Sequence, residues 1–138
     1  MQRTFQTEAE LQTFASDFAR GLRAGDVVAL SGPLGAGKTT FVRAVVSALL
    51  GNDLASSPTF TFWHRYAGSP PIDHIDLYRI DDPAELVELG LEEAFDSGSI
   101  VLVEWWQNAP ALLPESRYEI RIAGSGSEPR RLEVQRKA

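Results

Sequence analysis

Between Leu30 and Phe41 the chain reads LSGPLGAGKTTF, and no other stretch narrows the possible folds as much. Gly32-Pro33-Leu34-Gly35-Ala36-Gly37-Lys38-Thr39 satisfies G-x-x-x-x-G-K-[ST] in full. The apolar run VVALS (Val27 to Ser31) ahead of it reads as a strand buried on both faces. A helical run from about Lys38 to Leu50, stopped by Gly51, follows it. Strand, loop and helix in that order form the context that separates a phosphate-binding loop from a chance glycine-rich turn. The glycines let backbone N–H groups turn inward around phosphates, and the helix presents its positive N-terminal end to them. Lys38 reaches the β and γ phosphates, and the Thr39 hydroxyl is a hard oxygen ligand suited to Mg²⁺.

A loop of this kind takes a large share of a 138-residue chain, which has the size of one compact domain spanning residues 1–138. The absence of cysteine excludes disulfides, thiolate metal sites and cysteine nucleophiles. No apolar run approaches the roughly 20 residues that span a bilayer, so the expectation is a soluble, cytoplasmic protein. The net charge of −6 argues against this chain gripping a nucleic-acid backbone by itself, because that grip depends on clustered Lys and Arg.

Around the loop, Thr7-x-x-Glu10 is a capping box opening an amphipathic helix, with Leu11, Phe14, Ala15, Phe18 and Leu22 on one face. TFTFWHRY (Thr59 to Tyr66) reads as a strand, forming a hairpin with IDHIDLYRI (Ile72 to Ile80) through AGSPP. A helix follows from Asp82 to Gly90, with Pro83 at its first position. Its Glu85 and Glu88, with Glu92 and Glu93 beyond, read as a solvated face. Ser99 to Glu104 (SIVLVE) fits the parallel partner of Val27 to Ser31. RYEIRIA and RRLEVQ, either side of GSGSE, make a terminal hairpin. The fold class expected is α/β: a P-loop-like domain with a parallel nucleotide-binding core in a mixed sheet extended by antiparallel strands.

A phosphate loop needs acidic partners to hold Mg²⁺ and to orient a water. Glu104 ends an apolar strand at the carboxyl edge of the sheet, as an active acid or as a solvated strand end. In HIDLYR, strand alternation puts His74, Asp76 and Tyr78 on one face, either a functional polar trio or the wet face of an edge strand. Ser57 and Thr59, around the rigid Pro58, read as a γ-phosphate sensor or as a simple turn into a strand. Trp105 fits a place near the nucleotide, and Trp106 the core. His64 and His74 have no third ligand at metal spacing. Arg130, Arg131, Arg136 and Lys137 read as a solvated basic end rather than a tRNA contact.

GPLGAGKTTF, SSPTFTF, HIDLYR, ELGLEEAF and VLVEW occur in the order found in the TsaE (YjeE) family, which this chain resembles over nearly its whole length. That family is the ATPase component of bacterial tRNA threonylcarbamoyladenosine biosynthesis. The resemblance implies ATP and Mg²⁺ as cofactors, TsaD and TsaB as protein partners, and tRNA only indirectly. It implies a phosphate site of Gly32, Pro33, Leu34, Gly35, Ala36, Gly37, Lys38 and Thr39, to which the reading of the residues adds Thr40 and Trp105 on the nucleotide side. Thr39, Asp76 and Glu104 would stand on the metal side, and Lys38, Asp76, Glu104 and Thr59 would be catalytic. Two departures stand out: Pro33 replaces a common acidic residue, and Trp106-Gln107 stands where Pro-Glu is common. No segment resembles the lid or second-substrate domain of a small-molecule kinase. A compact kinase and a non-hydrolysing nucleotide-dependent binding module are the alternatives to an ATPase that resets a transferase complex.

Overall fold

A computed structural model describes residues 1–33, 35–51, 56–60, 62–124 and 126–137, with 56–60 as backbone. Val27 to Ser31 forms the centre, β2, of an eight-stranded sheet. In chain order the elements are β1 (Gln2–Phe5), α1 (Glu8–Ala19), β2 (Val27–Ser31), α2 (Lys38–Leu50), β3 (Ser56–Phe60), β4 (Trp63–Tyr66), β5 (Ile72–Asp76), α3 (Ala84–Glu88), α4 (Glu92–Asp96), β6 (Ile100–Glu104), β7 (Arg117–Ala123) and β8 (Arg130–Lys137). The strands lie in the order β1-β8-β7-β2-β6-β5-β4-β3. β7, β2, β6 and β5 run parallel, and antiparallel pairs extend both sides.

The central strands are apolar on both faces because both faces are covered. On one face α1 and α2 pack over Val28, Leu30, Leu102, Ile120 and Ile122. On the other, Val27, Ala29, Val101 and Val103 meet Leu86 of α3, Ala94 of α4 and the stretch from Trp105 to Leu113. Thr7 caps α1 as the capping box requires, its Oγ1 accepting from the Glu10 N–H at 3.2 Å. Glu10 in turn accepts from the Gln6 N–H at 3.0 Å. Leu11 and Ala15 are buried, with Phe14 and Phe18 packed against the same core; Leu22 is buried although it lies beyond the helix end.

Three expectations need correction. The stretch from Thr59 to Tyr66 is not one strand: β3 and β4 are separate and antiparallel, with Phe60 opposite Trp63. β3 is the sheet's edge, which is where Pro58 is tolerated, because an edge strand has a side on which a ladder N–H is not needed. The strand from Ile72 ends at Asp76 rather than Ile80, since Tyr78 and Arg79 turn away after Leu77. The helix expected from Asp82 to Gly90 spans only Ala84–Glu88; Asp82 caps it, its Oδ1 accepting from the Ala84 N–H at 3.0 Å. β1 is an additional strand, paired with β8 across the whole length of the chain. No helix among the described residues is long and apolar enough to cross a membrane.

Candidate nucleotide site

The parallel strands end together, and what their last residues carry defines the site. Along β5, Ile72, His74 and Asp76 point to the face covered by α2, as strand alternation requires. Ile72 belongs to the core beneath that helix. In β6, Leu102 is the register partner of His74 and Glu104 that of Asp76. The apolar column under α2 therefore turns polar at the carboxyl edge, directly below the start of the helix. Asp76 and Glu104 are adjacent because they close two paired parallel strands at the same level.

Lys38, the first residue of α2, reaches down to this pair. It is almost fully buried, its Nζ donating to the Gly32 carbonyl and lying 3.9 Å from the centre of the Trp105 ring. Burial pushes its pKa below the usual lysine value, opposed by the negative charges of Glu104 and Asp76. The Asp76 carboxyl is shifted upward, first by burial and then by Glu104, against the Tyr78 N–H that it accepts at 3.0 Å and the charges of His74 and Lys38. Glu104 is buried, with its Oε2 2.6 Å from His74 Nε2. A carboxylate only accepts, so the imidazole Nε2–H is the donor.

Gly35, Gly37, Lys38, Thr39, Thr40, Asp76, Tyr78, Glu104 and Trp105 line one cleft of about 250 Å³. Trp105 adopts a left-handed backbone, φ 57°, the one non-glycine residue among those described with positive φ. Its ring lies 4.9 Å from that of Tyr78. Such strain in a bulky residue is tolerated where surrounding structure fixes it, and it aims this ring at the loop.

Eight residues of the expected set thus meet in one place: Gly35, Gly37, Lys38, Thr39, Thr40, Asp76, Glu104 and Trp105. Gly32 turns the chain into the loop so tightly that an added Cβ would lie 2.2 Å from the Ile122 carbonyl oxygen. Pro33 is exposed, and its carbonyl accepts from the Ala36 N–H at 3.1 Å, which occupies that N–H within the loop. The Ala36 side chain faces the core. Leu34 lies outside the described residues, and Thr59 lies in β3, described in its backbone alone. Trp106 packs into the second core, under Arg117 at 5.2 Å.

Two residues escaped the sequence reading. His74 was legible as part of a polar face, but its bond to Glu104 depends on the β5–β6 register. Asp73, one residue away, faces the opposite side, fully buried beneath Arg65. Arg65 Nε and Nη2 each donate to Asp73 at 2.9 Å.

A family model described as threonylcarbamoyl adenosine biosynthesis protein TsaE matches residues 5–132. The chain belongs to the TsaE family. A Rickettsia bellii protein named tRNA threonylcarbamoyladenosine biosynthesis protein TsaE is 40% identical over 123 residues, covering 88% of this chain and 85% of its own. The Bacillus subtilis protein of the same name is 38% identical over 124 residues, or 89% and 77% of the two chains. Among solved structures, one titled as the crystal structure of Bacillus subtilus YdiB superposes with a TM-score of 0.83 at 30% identity, over 100% of this chain and 86% of that one. Membership in TsaE, a family of threonylcarbamoyladenosine biosynthesis, agrees with the mixed α/β sheet and with the phosphate-loop geometry at its centre.

Proposed function

We propose that this TsaE-family chain binds and hydrolyses ATP to reset a TsaB–TsaD transferase complex that adds a threonylcarbamoyl group to adenosine in tRNA. The observation that carries the reading is the convergence of Lys38 with Asp76 and Glu104, on paired parallel strands, beneath the N-terminus of α2. Lys38 donates to the Gly32 carbonyl and lies against the Trp105 ring, within the field of the two carboxylates. Phosphates entering the loop replace the Gly32 carbonyl as its acceptor, and burial favours that exchange because a poorly solvated ammonium gains most from an anionic partner. Glu104, held in one rotamer by His74, is the acceptor that orients the attacking water.

The donor set fits Mg²⁺: two carboxylates and a hydroxyl from Asp76, Glu104 and Thr39, all oxygen, all on one cleft. Magnesium is usually held by one or two carboxylates with substrate phosphates and water completing its shell. When bound, it neutralises charge on the phosphate oxygens. The acidic end of the cleft takes the γ-phosphate end of the nucleotide. The nucleoside then leaves the loop on its other side, where Gly35, Gly37 and Thr40 also line a second cleft of about 340 Å³.

In this reading the energy of hydrolysis acts on a partner protein. The edge strand β3, with Ser57, Pro58 and Thr59, is the element whose order would differ between ATP and ADP states. The test is phosphate release from Mg-ATP by the chain alone and with purified TsaB and TsaD, using Lys38→Ala as the blank. A slow rate that rises sharply with the pair and vanishes in the variant supports the proposal. A rate indifferent to the pair contradicts it, and radiolabel moving from the γ-phosphate to a small acceptor would favour a kinase.

A further inference from the structure

The second cleft is closed by residues from opposite ends of the chain, and one arginine joins them to the phosphate loop. Arg130 opens β8 just after the turn that links it to β7. Its Nη2 donates to the Gly35 carbonyl of the phosphate loop at 3.2 Å, across 95 residues of sequence. The same guanidinium donates to two carbonyls of the turn, from Nη2 to Gly126 at 3.1 Å and from Nη1 to Glu128 at 2.5 Å. A planar fork with several donors is suited to bridging acceptors that come from separate segments, which a point-like ammonium does less well.

A second observation ties the same hairpin to the same loop. The Ile122 carbonyl of β7 packs against Gly32, at a distance that leaves no room for a side chain. The hairpin therefore backs the loop at its first glycine and holds it again at Gly35. Gly126, Glu128 and Arg130 line the cleft opposite Thr7 and Glu8 of the N-terminal segment. Glu8 anchors that far wall, its Oε1 accepting from Thr40 Oγ1 at 3.1 Å. Arg130, half-buried in the terminal hairpin, thus carries a contact to the phosphate loop that its position among basic residues did not signal.

We propose that Arg130 is a positioning residue for the nucleotide: by bridging Gly35 to the β7–β8 turn it holds the terminal hairpin as a clasp on the nucleoside side of the cleft and slows nucleotide release. The inference rests on the ATP-binding reading above. Opening the clasp breaks the bond to the Gly35 carbonyl, while the bonds to Gly126 and Glu128 stay within the turn and keep the guanidinium aimed at the loop. While it stays closed, the loop and the turn move as one wall.

The experiment is stopped-flow displacement of a fluorescent N-methylanthraniloyl ADP by excess ATP with Mg²⁺, for the intact chain and for Arg130→Gln, Arg130→Lys and Lys38→Ala. Loss of charge-assisted bonds predicts release about ten-fold faster in Arg130→Gln. Arg130→Lys, which keeps the charge without the fork, releases at an intermediate rate and keeps the test valid if the glutamine variant folds poorly. Amide exchange supplies the readout that a merely structural role would not move: bound ADP protects Gly126 to Arg130 in the intact chain and not in Arg130→Gln. Release within about two-fold of the intact chain in both Arg130 variants, with binding lost in Lys38→Ala, overturns the clasp and leaves the ATP reading standing. Full rescue by lysine overturns the bridging geometry. Failure of the intact chain to bind the probe overturns the clasp together with the reading beneath it.

Discussion

The imidazole Nε2 of His74 lies 2.6 Å from Oε2 of Glu104, and both side chains are largely enclosed. Glu104 is thereby fixed at the carboxyl edge of β6, facing Lys38 rather than free to sample other rotamers. In the proposed reading His74 acts through Glu104 and not on the nucleotide itself. His74→Phe, which fills the space without a donor, is expected to lower turnover about 10–100-fold, the usual cost of losing a supporting hydrogen bond at such a site. The KM for ATP changes little, because the phosphate loop is untouched. Steady-state kinetics check the split, and a fall in kcat/KM that comes from KM alone, with kcat unchanged, would refute the positioning role.

Asp76 is expected to cost the folded chain stability at neutral pH. Its carboxyl is raised above the ordinary range, chiefly by burial and also by Glu104. A raised folded-state pKa means that the folded chain binds this proton more tightly than the unfolded one. The stabilising contribution is full below the ordinary carboxylate value and is lost as pH climbs through the raised one. Asp76→Asn should therefore melt higher than the parent at neutral pH without metal or nucleotide, and the gap should close below about pH 4. The same variant should lose Mg-ATP turnover. Thermal melts across pH, read against phosphate release, test both halves.

Asp73 behaves in the opposite sense. Burial pushes its pKa up, but bonds from Arg65, Ser99 and Trp63 outweigh it and hold the carboxyl below its ordinary range. Trp63 Nε1 donates at 2.9 Å. Arg65→Ala leaves the carboxylate buried without its cation and is expected to cost about 3 kcal/mol in urea unfolding. The contribution of a depressed carboxylate is present above the ordinary pKa and lost as pH falls through the depressed one. The gap between parent and variant should therefore narrow in acid. A gap independent of pH would mean that Arg65 acts through packing alone.

Much of this was legible from residue pattern, for definite physical reasons. The phosphate loop, the Thr7 cap and the buried β2 and β6 are specified by neighbours in sequence, and α2 runs from Lys38 to Leu50 as read. What escaped was specified by distant partners. Three of the four residues of β1 are exposed, and its strand character comes from pairing with β8. The reversal between Phe60 and Trp63 carries no glycine, proline or asparagine to mark it. Asp73 and His74 are neighbours with unrelated roles because alternation sends them to opposite faces. Which face matters is set by α2, which touches one side of β5 and not the other. Arg130 resembled its basic neighbours until the hairpin folded back onto Gly35.

The most direct test of the account is single-turnover hydrolysis of Mg-ATP by Glu104→Gln beside the parent chain, with ATP binding measured on the same samples. If Glu104 orients the attacking water, the variant binds ATP as the parent does and hydrolyses it at least about 100-fold more slowly. Hydrolysis within about two-fold of the parent, with ATP bound, would show that the carboxylate at the end of β6 is not the group that directs the water.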